Sequence, residues 1–413
     1  MNSLSPKPVI EILTSRSAVC NEAPIELDVL IRVTPPPAPQ NLERPPLNLG
    51  LVLDRSGSMQ GDKLEAAKAA ASYAVEQLLP TDRVSVTVYD SDVQTIVPST
   101  LAQNKSAILR SIRAVQVGSS TALHAGWVEG GLQVSQHLNP AHLNRVIVLT
   151  DGLANVGETN PDRIATDVHG LARRGVCTTT MGVGSDYNED LLEAMARSGD
   201  GNYYFIESAG QLPHIFAAEL QGLAATAGHT VSLGIEPQSG VEVVEVLTQL
   251  DRNKMGRLQL PNLVSGQPLE VILKISVPLW TGSGNLCLFR LAWSAAQEKE
   301  RQVLRSTLVL PSVSLREWEE MPQNGEVKDY VARLEVDRIR QQAIEEMRRG
   351  DYAAAQGRVA AAQAYVVAAM PASPMRMTEV QELETLQRQL AEGESMVAEK
   401  EAKFQSYRKH RSR

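Results

Sequence analysis

Between Leu47 and about Ala227, apolar strands alternate with amphipathic helices, and this alternation restricts the fold more than any other feature of the chain. Leu47–Leu53 and Arg145–Thr150 are apolar runs, as expected of strands covered on both faces. Lys63–Leu79 instead places Leu64, Ala67, Ala71, Ala74 and Leu78 near one face of a helix. Further strands are expected at Arg83–Tyr89, Val93–Val97, Val176–Val183 and Asn202–Ile206. Helices are expected at Asn104–Val115, Thr121–Leu138, Pro161–Arg173, Asn188–Arg197 and Ala209–Ala225. The pattern predicts an α/β fold with a doubly wound, mostly parallel, Rossmann-like sheet.

The flanks read differently. Val9–Leu13 and Ile25–Val33 are strand-like, the second with Ile25, Leu27, Val29 and Ile31 at spacing two. Thr34–Pro39 and Pro45-Pro46 are proline-rich, which makes a stiff, extended linker. Short strands at Val231–Ile235, Val241–Leu247, Leu258–Leu260, Leu269–Val277, Leu286–Trp293 and Val303–Leu310 are broken by Gly, Pro, Asn and Ser. They point to an antiparallel sandwich that the two N-terminal strands would complete, with the α/β domain inserted. Helices follow at Val327–Arg349, stopped by Gly350, and at Tyr352–Met370, capped by Asp351. A last helix is expected from Thr378. Its Leu383, Leu390, Val397 and Phe404 recur every seven residues, but Gln387 and Glu394 spoil the seam, so packing on its own protein is favoured over a coiled coil. The expected domains are residues 1–45 (strands and linker), 46–227 (α/β domain), 228–312 (sandwich) and 313–413 (helical region).

The chain of 413 residues carries a net charge of −8, which argues against a general nucleic-acid binder. Its one basic run, Arg408–Arg413, reads as a solvated, frayed end. Cys20, Cys177 and Cys287 form no C-x-x-C pair, and reduced thiols are expected. No run of about 18 apolar residues exists, so no membrane span is expected. The opening MNSLSPKPVIEIL has no apolar signal core, and the expected location is the cytoplasm.

Chemistry concentrates in three loops. Leu49–Leu53 runs into Asp54-Arg55-Ser56-Gly57-Ser58, a strand end followed by a helix. Ligands of open parallel sheets bind outside the carboxyl ends of the strands, and carboxylate and hydroxyl oxygens suit hard cations. Alone, the motif is also that of a capped helix start. Val146–Thr150 likewise ends in Asp151-Gly152, which also suits a simple turn. Thr121, after Gly118-Ser119-Ser120, suits a helix cap when taken by itself.

Together these residues resemble the von Willebrand factor type A domain with a metal-ion-dependent adhesion site, over about residues 46–227. Asp54, Ser56 and Ser58 match its D-x-S-x-S, Thr121 its distant threonine and Asp151 its distant aspartate. The resemblance implies a divalent cation, Mg2+ first with Mn2+ or Ca2+ as alternatives. It implies hydroxyls that ligate directly or through water, and aspartates that act partly through water. It further implies a partner protein presenting Glu or Asp to the metal, and an adaptor with no catalytic or cofactor-binding residues. The domain order is similar to bacterial and plant proteins that carry a β domain and helices after the type A domain, and to inter-alpha-trypsin inhibitor heavy chains without their secretory features. Such domains shift their last helix on binding, which would here act through Gly228 as a hinge. The oligomeric state is left open.

Two alternatives stand beside this reading. A haloacid-dehalogenase-like phosphatase also begins with a strand-end Asp and Mg2+, but its second acid is replaced by Ser56. Service as the type A partner of an AAA+ ATPase is an analogy that rests on no residue. Gly182-Val183-Gly184 lacks the third glycine of a dinucleotide site.

Overall fold

Leu47–Asp54 is the centre of a six-stranded sheet because its two faces serve two helical layers. In a computed structural model that describes residues 7–37, 45–281, 284–295, 301–370, 372–393 and 395–411, Leu47, Leu49, Leu51 and Leu53 pack in one core with Leu64, Ala67, Ala71, Phe216 and Leu220. The opposite face meets the helix Leu123–Ser135. There a Cβ on Gly130 would lie 2.3 Å from Val52, and one on Gly126 2.6 Å from the Tyr89 ring. These two glycines let the helix lie close to the sheet.

The strand order is Val93–Leu101, Arg83–Tyr89, Leu47–Asp54, Leu143–Thr150, Val176–Val183, Tyr203–Ile206. Every pairing is parallel except that of the Val93–Leu101 edge strand. From Leu47–Asp54 the chain first builds outward on one side and then returns to build on the other. Leu47–Asp54 and Leu143–Thr150 therefore flank the topological switch point.

A buried ion pair reinforces this unit. Arg145 lies 3.6 Å from Glu219 of the helix Leu212–Ala224. Glu219 also accepts hydrogen bonds from Thr179, Asn202 and Tyr204. Burial alone would raise the Glu219 carboxyl, but Arg145 and these donors hold it below the ordinary value.

The chain divides into two units, Pro39–Thr226 and the combination of Met1–Ala38 with Ala227–Arg413. In the second unit, Ile25–Thr34 pairs antiparallel with Val9–Thr14 and with Leu269–Val277, in register from Ile25↔Val277 to Val33↔Leu269. One sheet thus joins segments more than 200 residues apart in sequence. A second antiparallel sheet holds Leu258–Leu260, Thr226–Pro237, Cys287–Ser294 and Gln302–Leu308. Leu27, Val29, Ile31 and Val33 of the first sheet share a core with Leu233, Phe289 and Leu291 of the second. Leu30 and Ile272, out of phase with that set, pack instead on Val327 and Leu334 of the helix Gly325–Arg348.

Three expectations need correction. Gly228 does not precede the strand expected from Val231: it lies inside Thr226–Pro237, where a Cβ would come within 2.8 Å of Trp293. The last helix is two helices, Pro374–Glu392 and Ser395–Arg411, because Gly393 turns left-handed at φ 81°. After this break the core positions move to Ala398 and Ala402, and Val397 and Phe404 are only half-buried. The basic end is not frayed: Lys409, His410 and Arg411 are helical and buried. Of the segments read from sequence, residues 1–6 of the opening, 38–44 of the linker region, Glu394 of the seam and 412–413 of the tail lie outside the described residues.

Carboxylates on two other helices explain the buried end. Lys409 donates to Glu379 at 2.6 Å and lies 2.9 Å from Glu382. Arg340, fully buried, contacts Asp337, Glu379 and Glu382. His410 Nδ1 accepts from the Gln249 N–H, so Nε2 carries a proton and donates to Asp337 at 3.1 Å.

Candidate metal centre

Asp54 and Asp151 end or immediately follow adjacent parallel strands, which brings two carboxylates together at the switch point. Both are fully buried. Asp54 Oδ1 accepts the Ser56 N–H at 2.8 Å, and Oδ2 accepts the Thr150 hydroxyl at 2.5 Å. Asp151 Oδ1 accepts the Ser58 hydroxyl at 2.7 Å, and Oδ2 accepts from the Lys63 ammonium at 2.5 Å. Ser56 Oγ and Ser58 Oγ are 3.2 Å apart.

The hydroxyls are not spent on helix caps. Ser56 precedes a short 3-10 turn, Gly57–Met59, without capping it through its side chain. The helix Leu123–Ser135 has Ala122, not Thr121, at its N-cap. Thr121 is instead fixed through its backbone: its N–H donates to Asn155 Oδ1 at 2.9 Å, and its carbonyl accepts from Asn155 and Val156. The Ser56 loop is pinned as firmly, by Gly57 N–H to Ser119 O at 2.7 Å and Gly118 N–H to Arg55 O at 2.6 Å.

Gly152 shows where these oxygens converge. A Cβ placed there would lie 3.3 Å from Ser58 Oγ, 3.3 Å from Thr121 Oγ1 and 4.0 Å from Ser56 Oγ. Three hydroxyls from two loops thus face one small cradle on a third, beside two carboxylates. This all-oxygen donor set is of the kind Mg2+ takes, with waters completing an octahedron. The residues fit the cation that the sequence implies. A site of this composition also lies outside the usual carboxylate, histidine and cysteine clusters: no group of three or more such residues able to hold a metal occurs among the described residues.

Electrostatics agrees with the geometry. Burial pushes the Asp54 carboxyl up to about 6, against the lowering effect of its hydrogen bonds from Ser56 and Thr150, and the nearby Asp151 raises it further. Asp151 has an ammonium partner in Lys63 and Asp54 has neutral donors, so the two buried carboxylates leave the cleft short of positive charge.

The structure brings all five predicted residues together. Sequence reasoning missed Lys63, Thr150 and Asn155. Thr150 lies inside the Thr-Asp-Gly already singled out, and its hydroxyl both donates to Asp54 and accepts from the Gly152 N–H. Lys63 and Asn155 had no signal beyond lying within a few residues of the motif loops. Gly182, once weighed as part of a nucleotide motif, is a packing glycine: a Cβ there would meet the Tyr187 ring at 2.3 Å. An open concavity of ≈ 660 Å³, lined by Val93, Thr95, His124 and Glu129 among others, contains none of the five residues.

An open α/β sheet with an oxygen-lined cleft at its switch point defines a class of domain, and comparison with known proteins identifies the domain. Residues 48–218 match the von Willebrand factor type A domain, and this part of the chain is a type A domain. Such domains are characteristically non-catalytic modules that mediate protein–protein contacts. An uncharacterised protein of Synechocystis is 30% identical over 219 residues, 51% of this chain and 50% of that one. Human inter-alpha-trypsin inhibitor heavy chain H3 is 27% identical over 223 residues, 51% of this chain and 24% of that one. The chain spans half or less of the length of these curated relatives. A von Willebrand factor type A protein from Catenulispora acidiphila has a similar fold, with TM-score 0.72 and 15% identity over 94% of this chain and 91% of that one. So does the ArnB paralog VWA2 from Sulfolobus acidocaldarius, with TM-score 0.64 and 16% identity over 97% and 98%.

Proposed function

We propose that Asp54, Ser56, Ser58, Thr121 and Asp151 hold a divalent cation, Mg2+ first, whose shell is completed by a Glu or Asp of a partner protein. The observation that carries this reading is the convergence of three uncapped hydroxyls on the Gly152 cradle beside two buried carboxylates. A hard cation at that point replaces the missing positive charge. One retained water can then give way to a partner's carboxylate. The loops also carry exposed apolar side chains: Val117 and Leu153, 42% and 55% exposed, stand near Thr121 and Asp151 in sequence. Exposed apolar side chains around a polar centre suit a protein ligand.

The phosphatase alternative loses the second acid it needs, because the residue two positions beyond Asp54 is Ser56. We place the protein in the cytoplasm, a reading supported by three unpaired cysteines. No helix among the described residues is long and apolar enough to cross a membrane.

Capture of partner protein from the native source, with Mg2+, with EDTA and with Asp54→Ala, tests the reading. Capture that needs both Mg2+ and Asp54 is the expected result. Equal capture in all three conditions would remove the metal from the mechanism.

A further inference from the structure

Lys63 occupies an unfavourable position for a cation. It is the second residue of the helix Asp62–Gln77, whose N-cap Gly61 supplies no side-chain bond. The N-terminal end of a helix carries partial positive charge and disfavours lysine. The side chain nevertheless reaches the strand ends, where Nζ lies 2.5 Å from Asp151 Oδ2. Its tip passes beside Gly184, φ +75°, where a Cβ would lie at an ordinary contact distance of 3.5 Å from Nζ.

The consequence is a matter of charge. Asp54 and Asp151 supply two negative charges and Lys63 one positive charge. A divalent cation would make the two carboxylates alone neutral, whereas with Lys63 the loaded site is net positive by one. We propose that Lys63 sets this charge: it loosens the cation's hold and leaves the loaded site attractive to an acidic side chain. This inference rests on the cation reading above. The competing role, in which Lys63 merely anchors Asp151, has the opposite sign, because removing an anchor would weaken the cation.

The test uses the full chain and Mn2+ as probe. Binding is followed by the electron paramagnetic resonance signal of free Mn2+, for the wild type, Lys63→Gln, Lys63→Arg and Asp54→Ala. Glutamine removes the charge and still offers a hydrogen-bond donor, on a side chain one atom shorter. Lys63→Gln should bind Mn2+ about tenfold more tightly, the scale of one nearby like charge removed from a partly screened site. Lys63→Arg should stay close to the wild type. Acetate binding to the Mn2+-loaded protein, read from methyl-proton relaxation, should weaken several-fold in Lys63→Gln. Mn2+ binding in Lys63→Gln no tighter than in the wild type, or acetate binding undiminished, would overturn the role of Lys63. If wild-type binding is then abolished by Asp54→Ala, the cation site itself still stands. No Mn2+ uptake by either wild type or Lys63→Gln would overturn both.

Discussion

Two buried clusters of charge differ in how they are balanced. In the helical region, Asp337, Glu379 and Glu382 face Arg340, Lys409 and His410, with Arg333 at the margin. At the type A strand ends, Asp151 pairs with Lys63, while Asp54 is held by the Ser56 N–H and the Thr150 hydroxyl. The carboxyls record the difference. Asp337 is held well below its ordinary value, because His410, Arg340 and Lys409 outweigh the cost of burial, whereas Asp54 is pushed up to about 6. A balanced cluster is part of the scaffold. An unbalanced one, set among hydroxyls, is what the proposed cation would complete.

Breaking the balanced cluster should have the largest effect. Arg340→Ala leaves three carboxylates without their central partner and should cost about 3–5 kcal/mol, read as a lower denaturant midpoint. Asp54→Asn should act in the opposite direction. In chelator it removes a buried, poorly compensated charge and should leave stability unchanged or raise it by roughly 1 kcal/mol. A loss similar to that of Arg340→Ala would show that the two clusters are alike and end the comparison.

The pH response separates them by sign. The folded value of Asp337 is depressed, so its contribution is present above the ordinary 3.8 and is lost as pH falls below it. The folded value of Asp54 is raised, so its contribution is present below 3.8 and declines as pH rises through about 6. In chelator, lowering pH from 7 to 5 should preserve or raise amide protection in the strand Leu47–Asp54. Lowering it below about 4 should reduce protection in the helix Gly325–Arg348. Loss of protection in both between pH 7 and 5 would contradict the assignment.

Gly152→Ala probes the cradle with little effect on the fold. Its methyl would stand 3.3 Å from two hydroxyl oxygens, and cation affinity should fall about tenfold while stability changes by less than about 1 kcal/mol. Unchanged affinity would move the cation away from these hydroxyls.

What the sequence revealed follows from the range of each interaction. The type A sheet was legible because its strands are apolar on both faces and its helices repeat at a local period. The five candidate residues stood out because two apolar strands run visibly into aspartate and the loops are short and polar. The buried ion clusters were not. Lys409 and His410 sit in a run that any local reading assigns to solvent, and their partners at 337, 379 and 382 lie in other helices. Arg145 and Glu219 are likewise 74 residues apart in sequence. The break at Gly393 was masked by a seven-residue repeat that continues across it. Lys63 looked like an ordinary surface lysine at a helix start, and only its 2.5 Å contact with Asp151 sets it apart.

The account's central claim is that the unbalanced cluster is completed by a divalent cation. The most direct measurement is thermal unfolding of the wild type and Asp54→Ala across a Mg2+ titration. A ligand that binds only the folded state raises the midpoint with its concentration. The wild-type midpoint should climb with Mg2+ while that of Asp54→Ala stays flat. A wild type indifferent to Mg2+, or an equal rise in both proteins, would contradict the account.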